Sequence, residues 1–282
     1  MRKFTDVAVA VVMAGCTLVC LTILLGLVGV VAQRGGPALS WSFFTEQIRL
    51  VGAAGGILWN LIGTSILLVS AFFICAPFAV ALALLERVWL TSAGSRRFLR
   101  TGLYTLNGLP SVIFGIFGFI VFVQWCGLGK SWLVGGIVLA MSMLPTVSVS
   151  VIERMKAIPA SYPEAAAALG LSKAQVVWAV LLPQSWGGLV TGSLLGLARA
   201  AGETAPIMFT ATIFAGATWP RAIKDSPVLT LPYHIFILAQ DSFDPGVGSK
   251  LWGAALVLLG LVLILSLIAL PYRLKMHEEA DV

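Results

Sequence analysis

The most informative part of the chain is residues 158–185, "IPASYPEAAAALGLSKAQVVWAVLLPQS". Ser161 followed three residues later by Glu164 has the spacing of a capping box, and Pro163 is tolerated in the first turn of a helix. The alanines that follow favour the helix, and Gly170 can supply the left-handed residue that ends it. The spacing therefore predicts one short helix between Ser161 and Gly170.

A second start signal follows at once. Ser172 and Gln175 again have capping-box spacing, and the helix that they open should end near Pro183. Helices this short are marginal alone in water, so the pair needs a surface to pack against. Composition alone would equally allow an ordinary loop lying on a membrane.

The sequence on both sides of this loop is strongly apolar. Hydrophobic residues make up 59% of the 282 residues and charged ones only 11%, with a mean hydropathy of +0.99, whereas soluble domains carry about 25% charged residues. A membrane-crossing helix takes roughly 20 apolar residues. The runs that are long enough predict six helices, at about Val7 to Ala32, Ile57 to Leu85, Leu103 to Val123, Trp132 to Ile152, Trp186 to Ala215 and Leu251 to Leu270. We expect the first run to be retained rather than cleaved as a signal peptide, because it is too long for one.

The placement of the basic residues sets the orientation. With both termini inside, the cytoplasmic segments hold Arg2, Lys3, Arg87, Arg96, Arg97, Arg100, Arg154, Lys156, Lys173, Arg273 and Lys275. The opposite side holds Arg34, Arg49, Lys130, Arg221, Lys224 and Lys250. This asymmetry follows the positive-inside rule. The net charge of +6 therefore reflects topology, and we expect no nucleic-acid partner.

Other features point to no chemistry of their own. Residues 127–131, "GLGKS", resemble the end of a phosphate-binding loop, but Gln124 stands where that loop needs a glycine, so ATP binding there is rejected. The cysteines lack metal-ligand spacing, and we expect neither metal nor cofactor; they are Cys16, Cys20, Cys75 and Cys126. Aromatic residues near the span ends are expected to anchor the chain in membrane lipid, namely Trp41, Phe43, Phe44, Trp59 and Trp219.

The loop carries a family resemblance. Glu164-Ala165-Ala166, three residues, Gly170, nine residues and then Val180-Leu-Leu-Pro183 resembles the EAA motif of ABC importer permeases, with Val180 in place of isoleucine. In that family the motif forms the coupling helix, which docks into a cleft on the ATP-hydrolysing subunit. The resemblance implies that Glu164, Ala165, Ala166, Gly170 and Pro183 are ATPase-coupling residues.

Three further stretches make the resemblance more specific. Residues 108–118, "GLPSVIFGIFG", are similar to a segment of the permeases of phosphate-specific importers. Residues 202–206, "GETAP", and 231–235, "LPYHI", are similar to the A-type (PstA) permeases of that system. The chain is thus suspected to be a permease of this type.

The resemblance implies an all-α, type I ABC importer (MetI-like) permease fold in the cytoplasmic (inner) membrane. We expect an N-terminal helix and external loop at 1–55, a transmembrane domain at 56–272 with the coupling loop at 156–185, and a cytoplasmic tail at 273–282. The implied partners are a second, C-type permease, two ATP-binding subunits and an extracytoplasmic phosphate-binding protein. The chain itself would be no enzyme, because a partner would hydrolyse the ATP.

Two charges stand in an apolar run and need a reason. A helix that starts near Trp186 would place Arg199 about 20 Å along its axis, inside a hydrocarbon core of roughly 30 Å. Charges at that depth are costly and usually functional. We hypothesise that Arg199 is a weak positive site on the substrate path, and that Glu203, on the same helix face, competes for it and prevents trapping. Thr204 is a third path candidate, and a purely structural pair of Arg199 with Glu203 is the alternative.

Glycines and prolines occur at regular or notable positions in the predicted spans. Gly188, Gly192 and Gly196 recur at intervals of four, a row that allows close helix packing either within this chain or against a partner permease. Four prolines can kink the spans, although nothing in the sequence decides between gating and packing; they are Pro77, Pro110, Pro145 and Pro206.

The sequence is also compatible with other functions. A permease for another oxyanion, such as molybdate or sulfate, belongs to the same class. A secondary transporter could also bind substrate at buried charges, but no internal repeat is evident and the EAA loop would have no purpose there. A scaffold without transport activity would not explain Arg199.

Overall fold

The computed structural model describes residues 2–49, 54–216, 219–240 and 245–278, and these residues are mostly helical. The predicted segments 1–55, 56–272 and 273–282 therefore each extend partly outside the described residues. The helices are α1 (Arg2–Gly35), α2 (Trp41–Thr45), α3 (Leu58–Leu84), α4 (Ala93–Gly108), α5 (Ser111–Gly118), α6 (Trp132–Ala157), α7 (Ser161–Ala168), α8 (Lys173–Val176), α9 (Leu182–Ala201), α10 (Ala205–Thr210), α11 (Leu231–Gln240) and α12 (Pro245–Glu278). Two short antiparallel strands, β1 (Ile48–Arg49) and β2 (Ala54–Gly55), form a hairpin.

Three helices form the core of the bundle. α3 and α9 both pack along α6, and α12 covers α9. The buried side chains at these contacts are small or aliphatic, such as Ala71 of α3, Met143 and Val147 of α6, and Ala201 of α9. Accordingly, 67% of the most apolar window of α6 is buried. The end of α9, which carries Arg199, is held by this α3–α6–α9 core.

Four helices in the described part of the chain are long and apolar enough to cross a membrane, at Val9–Ala38, Leu58–Trp89, Trp132–Ala157 and Val247–Pro271. A fifth candidate is the bent pair Ala93–Gly108 and Ser111–Trp125. α9 has the length of a span, but its glycines, hydroxyl groups and Arg199 make it less apolar than these. The predicted count of six spans thus requires α9 as the sixth, inside the bundle rather than facing lipid.

The third predicted run is not one straight helix. α4 and the Ser111–Trp125 segment meet at an angle of 93°. The break is at Leu109 and Pro110, both of which are extended, with ψ values of 137° and 134°. A proline disfavours the helical conformation in the residue before it, and Leu109 obeys that rule. Pro110 therefore ends α4 and directs the chain into α5. Pro77 and Pro145, in contrast, lie inside the continuous helices α3 and α6.

The fifth predicted run, Trp186 to Ala215, is also broken. α9 ends at Ala201, Gly202 caps it, and α10 begins only at Ala205 with Pro206 in its first turn. Pro206 has no N–H to continue α9 but fits the start of a new helix. After α10 the chain leaves the helical path, and Thr212 pairs with Val228 in an isolated bridge.

The first helix stands apart from the core. None of the most apolar window of Val9–Ala38 is buried, and α1 touches the bundle mainly through α12. One such contact is the Arg34 guanidinium, whose central carbon lies 5.1 Å from the centre of the Trp252 ring. A largely bare apolar helix of this kind leaves a wide surface for lipid or for a second membrane protein.

One predicted lipid anchor is instead a core residue. Phe43 is 1% exposed and packs with Ile57, Leu231 and Ala254, whereas Trp41 remains 83% exposed. Ser40 caps α2, its side chain accepting a hydrogen bond from the Phe43 amide. The expectation of an interfacial role was therefore wrong for Phe43.

The short helix α11 is tied to α3 by polar contacts. The Thr64 hydroxyl accepts a hydrogen bond from the Leu231 amide at 2.9 Å, and the Asn60 side-chain amide donates to the Thr230 carbonyl at 3.2 Å. The Leu231 amide lies in the first turn of α11, where it has no partner within the helix. Thr64 satisfies it and fixes the segment "LPYHI" against the bundle.

His234 of α11 predicts a pH dependence of stability. It is 6% exposed, and burial lowers its pKa from 6.5 to about 4. Above pH 6.5 the imidazole is neutral whether folded or unfolded; as the pH falls toward 4, only the unfolded chain takes up the proton, so stability is lost. We expect a loss of up to about 3 kcal/mol, measured as thermal unfolding in detergent between pH 7.5 and 4.5. A His234→Gln variant should show a shallower pH dependence, and an unchanged slope would contradict this assignment.

Candidate functional site

The break after α9 places a short non-helical segment beside two helix ends. The Gly202 amide donates to the Arg199 carbonyl and the Glu203 amide to the Ala200 carbonyl, both at 3.1 Å. These tight turns end α9 at Ala201, two residues after Arg199. The prediction that Arg199 and Glu203 share one face of a continuous helix is therefore wrong, because Glu203 lies beyond the helix end.

The Arg199 guanidinium contacts two partners of different kinds. Its Nη1 donates to Asn107 Oδ1 at 2.8 Å, and its Nε lies 3.6 Å from Glu203 Oε1. At 3.6 Å the contact with Glu203 is an ion pair, because it is too long for a good hydrogen bond. The Arg199 side chain is 39% exposed and that of Glu203 only 16%. Among the described residues no other group pairs with Arg199, so part of its five-donor fork faces open space.

Asn107 was not predicted from the sequence. It belongs to the last turn of α4, and the 93° bend that follows brings its amide to Arg199. A polar residue just before "GLP" in an apolar run was the available signal. Thr204 follows Glu203 as the N-cap residue of α10, but its side chain makes no capping hydrogen bond. The site thus combines a guanidinium, a carboxylate, an amide and a nearby hydroxyl.

The two motifs that flank the site lie against each other. A Cβ atom built on Gly115 of α5 would be 2.9 Å from the Cα of Pro206, and one on Gly118 would be 2.3 Å from a methyl group of Val138. Only glycine allows α5 to approach α10 and α6 this closely. The stretches "GLPSVIFGIFG" and "GETAP" therefore form one packed unit next to Arg199.

The coupling loop has the two predicted helices, but the first is capped differently. Its N-cap is Ala160, which offers no side-chain acceptor, and the Ser161–Glu164 capping box does not form. The helix starts one residue earlier than the spacing suggested, so Ser161 is the first helical residue. Glu164 and Ala165 are exposed, while Ala166 is buried.

Gly170 makes the turn between the helices. It has φ +81°, and its amide donates to the Ala167 carbonyl while the Leu171 amide donates to the Ala166 carbonyl. This pair of bonds is a Schellman motif, which favours glycine at the left-handed position. The second predicted capping box, Ser172 with Gln175, is present in full.

The second helix does not end at Pro183. A π-helical segment, Val177–Leu181, joins α8 to α9, and Pro183 lies in the first turn of α9. The Leu182 amide donates a hydrogen bond to the Val177 carbonyl across this wider turn. The chain therefore stays helical up to Pro183, which has no N–H to donate. The coupling loop therefore connects rigidly to the helix that carries Arg199.

Large apolar side chains project from the loop. Leu169 is 83% exposed and Tyr162 51%, on either side of Glu164. On the inner side of the loop, Ile158, Val177 and Leu181 form a small core that anchors it to the end of α3. One face of the loop therefore packs against the rest of this chain, and the other face is exposed.

The glycine row lies against α6. A Cβ atom on Gly188 would be 2.6 Å from Arg154 Cβ, one on Gly192 would be 2.7 Å from Ser150 Cβ, and one on Gly196 would be 3.2 Å from a Met143 methyl group. The Ser150 hydroxyl also donates to the Gly188 carbonyl at 2.9 Å. Of the two interpretations open from the sequence, packing within the chain accounts for all of these contacts.

Gly192→Val should destabilise the chain, because the new side chain would overlap both Ser150 and the Val147 backbone. Overpacking of this kind costs about 1–3 kcal/mol, which we expect to appear as a clear fall in the thermal unfolding midpoint of the purified chain. Gly102→Val is the matched control, since Gly102 is also helical but has nothing within 4 Å of a Cβ atom. Equal losses in both variants would contradict tight packing at Gly192.

The segment "GLGKS" has a structural role. The described residues contain no cluster of three or more histidine, cysteine and carboxylate side chains that could hold a metal ion. In the segment "GLGKS", the Lys130 ammonium donates to the Met208 carbonyl at 3.1 Å, and Ser131 caps α6. These residues join α6 to α10 and have a structural explanation.

The fold and the EAA loop together define an ABC importer permease. Residues 76–274 match the family of binding-protein-dependent transport system inner membrane components, and the chain belongs to that family. An importer permease of this family works with an ATPase and a substrate-binding protein.

Individual relatives cover most of the chain. It is 28% identical to the probable ABC transporter permease protein YqgI of Bacillus subtilis (strain 168), with 95% of each chain covered. It is 31% identical to the phosphate transport system permease protein PstA of Yersinia pestis, covering 84% of this chain and 79% of that one. For PstA of Haemophilus influenzae (strain ATCC 51907 / DSM 11121 / KW20 / Rd) the identity is 32%, over 80% and 79%.

A solved structure confirms the type of fold. The MetNI methionine ABC transporter in an inward-facing form aligns with a TM-score of 0.53 at 19% identity, covering 79% of this chain and 94% of that chain. The expected MetI-like architecture is therefore correct.

Proposed function

We propose that this chain is the A-type permease subunit of an ATP-driven importer of inorganic phosphate in the cytoplasmic (inner) membrane. The single observation that carries the proposal is the partly exposed Arg199 guanidinium, held by Asn107 and Glu203 beside the packed unit formed by "GLPSVIFGIFG" and "GETAP". The phosphate transport relatives, which align over most of the chain, support the same substrate.

The chemistry of the site suits phosphate. A guanidinium can bind two oxygens of a tetrahedral oxyanion with parallel hydrogen bonds. Phosphate near neutral pH keeps at least one acidic hydrogen, which the Glu203 carboxylate can accept, whereas sulfate has no hydrogen to donate. Because Glu203 also pairs loosely with Arg199, at 3.6 Å, it competes with the anion and keeps binding weak. Weak binding suits a transport path, where the substrate must leave again.

A second permease would complete the path. Arg199 is 39% exposed in this chain alone, and a charge at that place needs protein or water around it. The bare apolar surface of α1 offers one area for contact with a C-type permease, and lipid would cover the rest. The substrate would then pass between the two permeases, and an extracytoplasmic phosphate-binding protein would deliver it.

The coupling loop would transmit the work of two ATP-binding subunits. We infer that Leu169 and Tyr162 enter a cleft on one ATPase subunit, with Glu164 between them at the rim. Since α8, the π-helical segment and α9 form one continuous helical path to Ala201, movement of the loop reaches Arg199 directly. ATP hydrolysis would take place entirely on the partner.

The test is uptake of labelled phosphate by cells that lack the gene for this chain, with and without the wild-type chain restored. Excess sulfate and molybdate are added as competitors. We expect restored uptake that neither competitor reduces. Uptake that molybdate or sulfate abolishes, or no phosphate uptake despite good expression, would move the substrate to another anion.

A further inference from the structure

α4 has two chemically different faces. Leu103 is buried in the bundle core and Leu99 packs against it, while the neighbouring Phe98 is 83% exposed. On the other side, Arg97, Thr101 and Tyr104 follow one another at spacings of four and three, so they share one face of the helix. All three are exposed. α4 is therefore amphipathic, with an unpartnered polar face.

This polar face leads to the site at Arg199. Asn107, three residues after Tyr104, continues it toward the end of α4 and hydrogen-bonds Arg199 at 2.8 Å. Charged and polar side chains within a membrane protein face protein or water, not lipid. A polar surface that starts at the cytoplasmic arginines and ends at Arg199 has the position of the inner half of an anion path.

Arg97 differs from the two arginines beside it. Arg100 donates to Glu86 and lies 3.9 Å from Glu153, and the Arg96 side chain donates to the Leu90 carbonyl at 2.6 Å. Within the described ranges Arg97 has neither an ion pair nor a side-chain hydrogen bond, so its guanidinium is available. It borders an open cavity of about 510 Å³, which Arg100, Thr101 and Tyr104 also line.

We propose that Arg97, Thr101 and Tyr104 form a second, low-affinity site for inorganic phosphate on the cytoplasmic side of Arg199. The Arg97 guanidinium supplies the charge, and the two hydroxyl groups can donate hydrogen bonds to the anion. An anion released by Arg199 would pause here before it enters the cytoplasm. This inference rests on the proposed function, because it takes the same substrate and path.

The test uses the full importer, with its partner subunits, in proteoliposomes. We expect Arg97→Gln to lower the maximal rate of phosphate uptake by about tenfold, Thr101→Val to lower it less, and Arg97→Lys to keep most of it. Thr45→Val is the matched control, because Thr45 lies in α2 rather than α4 and its exposed hydroxyl likewise donates to a carbonyl four residues earlier, that of Trp41, at 3.0 Å. It should transport normally.

A charge test separates binding from structure. Arg97→Cys, with the exposed Cys16, Cys20 and Cys126 changed to serine, is labelled with a cationic or an anionic thiol reagent. The cationic label should restore uptake severalfold and the anionic label should not. Equal effects of the two labels, or normal uptake in Arg97→Gln, would overturn the inference. The proposed function would remain intact in that case, provided that the wild-type importer takes up phosphate. Loss of the assembled complex in Arg97→Gln would also overturn it, since the face would then be a subunit contact. Wild-type importer without phosphate uptake would instead refute the proposed function.

Discussion

Arg199→Gln is expected to lower the maximal rate of phosphate uptake by roughly ten- to a hundredfold. A hydrogen bond to a charged group is worth about 1.5–3 kcal/mol. The variant loses the charge, the parallel N–H donors of the guanidinium and the contact with Asn107. The uptake rate of Arg199→Lys should lie between those of the wild type and Arg199→Gln, because lysine keeps the charge but cannot bind two oxygens in parallel. The measurement is initial uptake of labelled phosphate at matched amounts of protein in the membrane.

One further variant and a control make this result specific. Glu203→Gln should also slow uptake, because without the competing carboxylate the anion would leave Arg199 more slowly. The uptake rate of this variant should also become more sensitive to sulfate. Arg49→Gln removes the exposed guanidinium of β1, far from Arg199 in the chain, and should transport normally. Near-normal rates in both Arg199→Lys and Glu203→Gln would show that the two residues are only a structural pair.

The second large effect is expected at the coupling loop. Leu169→Lys should nearly abolish phosphate uptake and weaken association with the ATPase subunit by roughly thirtyfold or more, since burial of a leucine contributes about 1.5–3 kcal/mol. Leu169 is 83% exposed, and a cation is tolerated at the end of α7, so the chain itself should fold normally. Co-purification of the ATPase from detergent extracts measures association.

Leu169→Met is the control for this prediction, because it keeps an apolar side chain of similar volume. It should keep both ATPase binding and uptake. If Leu169→Lys binds the ATPase as tightly as the wild type does, then the exposed face of the loop is not the docking surface.

Local signals in the coupling loop were largely sufficient to predict its structure. Gly170 and the Ser172 capping box depend on neighbours within a few residues, so their geometry follows from spacing alone. Ser161 is an exception. Its spacing to Glu164 fits a capping box, yet the chain enters the helix one residue earlier, and Ser161 then lies inside the first turn.

The breaks in the helices were harder to locate. Hydropathy is continuous across Leu109 and Pro110 and again across Gly202, so an apolar run suggested a single helix in each place. The prolines indicated possible kinks but not a 93° bend. The contact of Asn107 with Arg199 depends on that bend and joins residues far apart in the chain. No periodicity could have predicted it.

The most direct test of the account is ATP-driven phosphate accumulation in proteoliposomes that contain this chain, a C-type permease, the ATPase subunits and the phosphate-binding protein. The account predicts accumulation that requires ATP and stops when this chain is omitted. Accumulation that continues without this chain, or that proceeds with another oxyanion but not with phosphate, would contradict it.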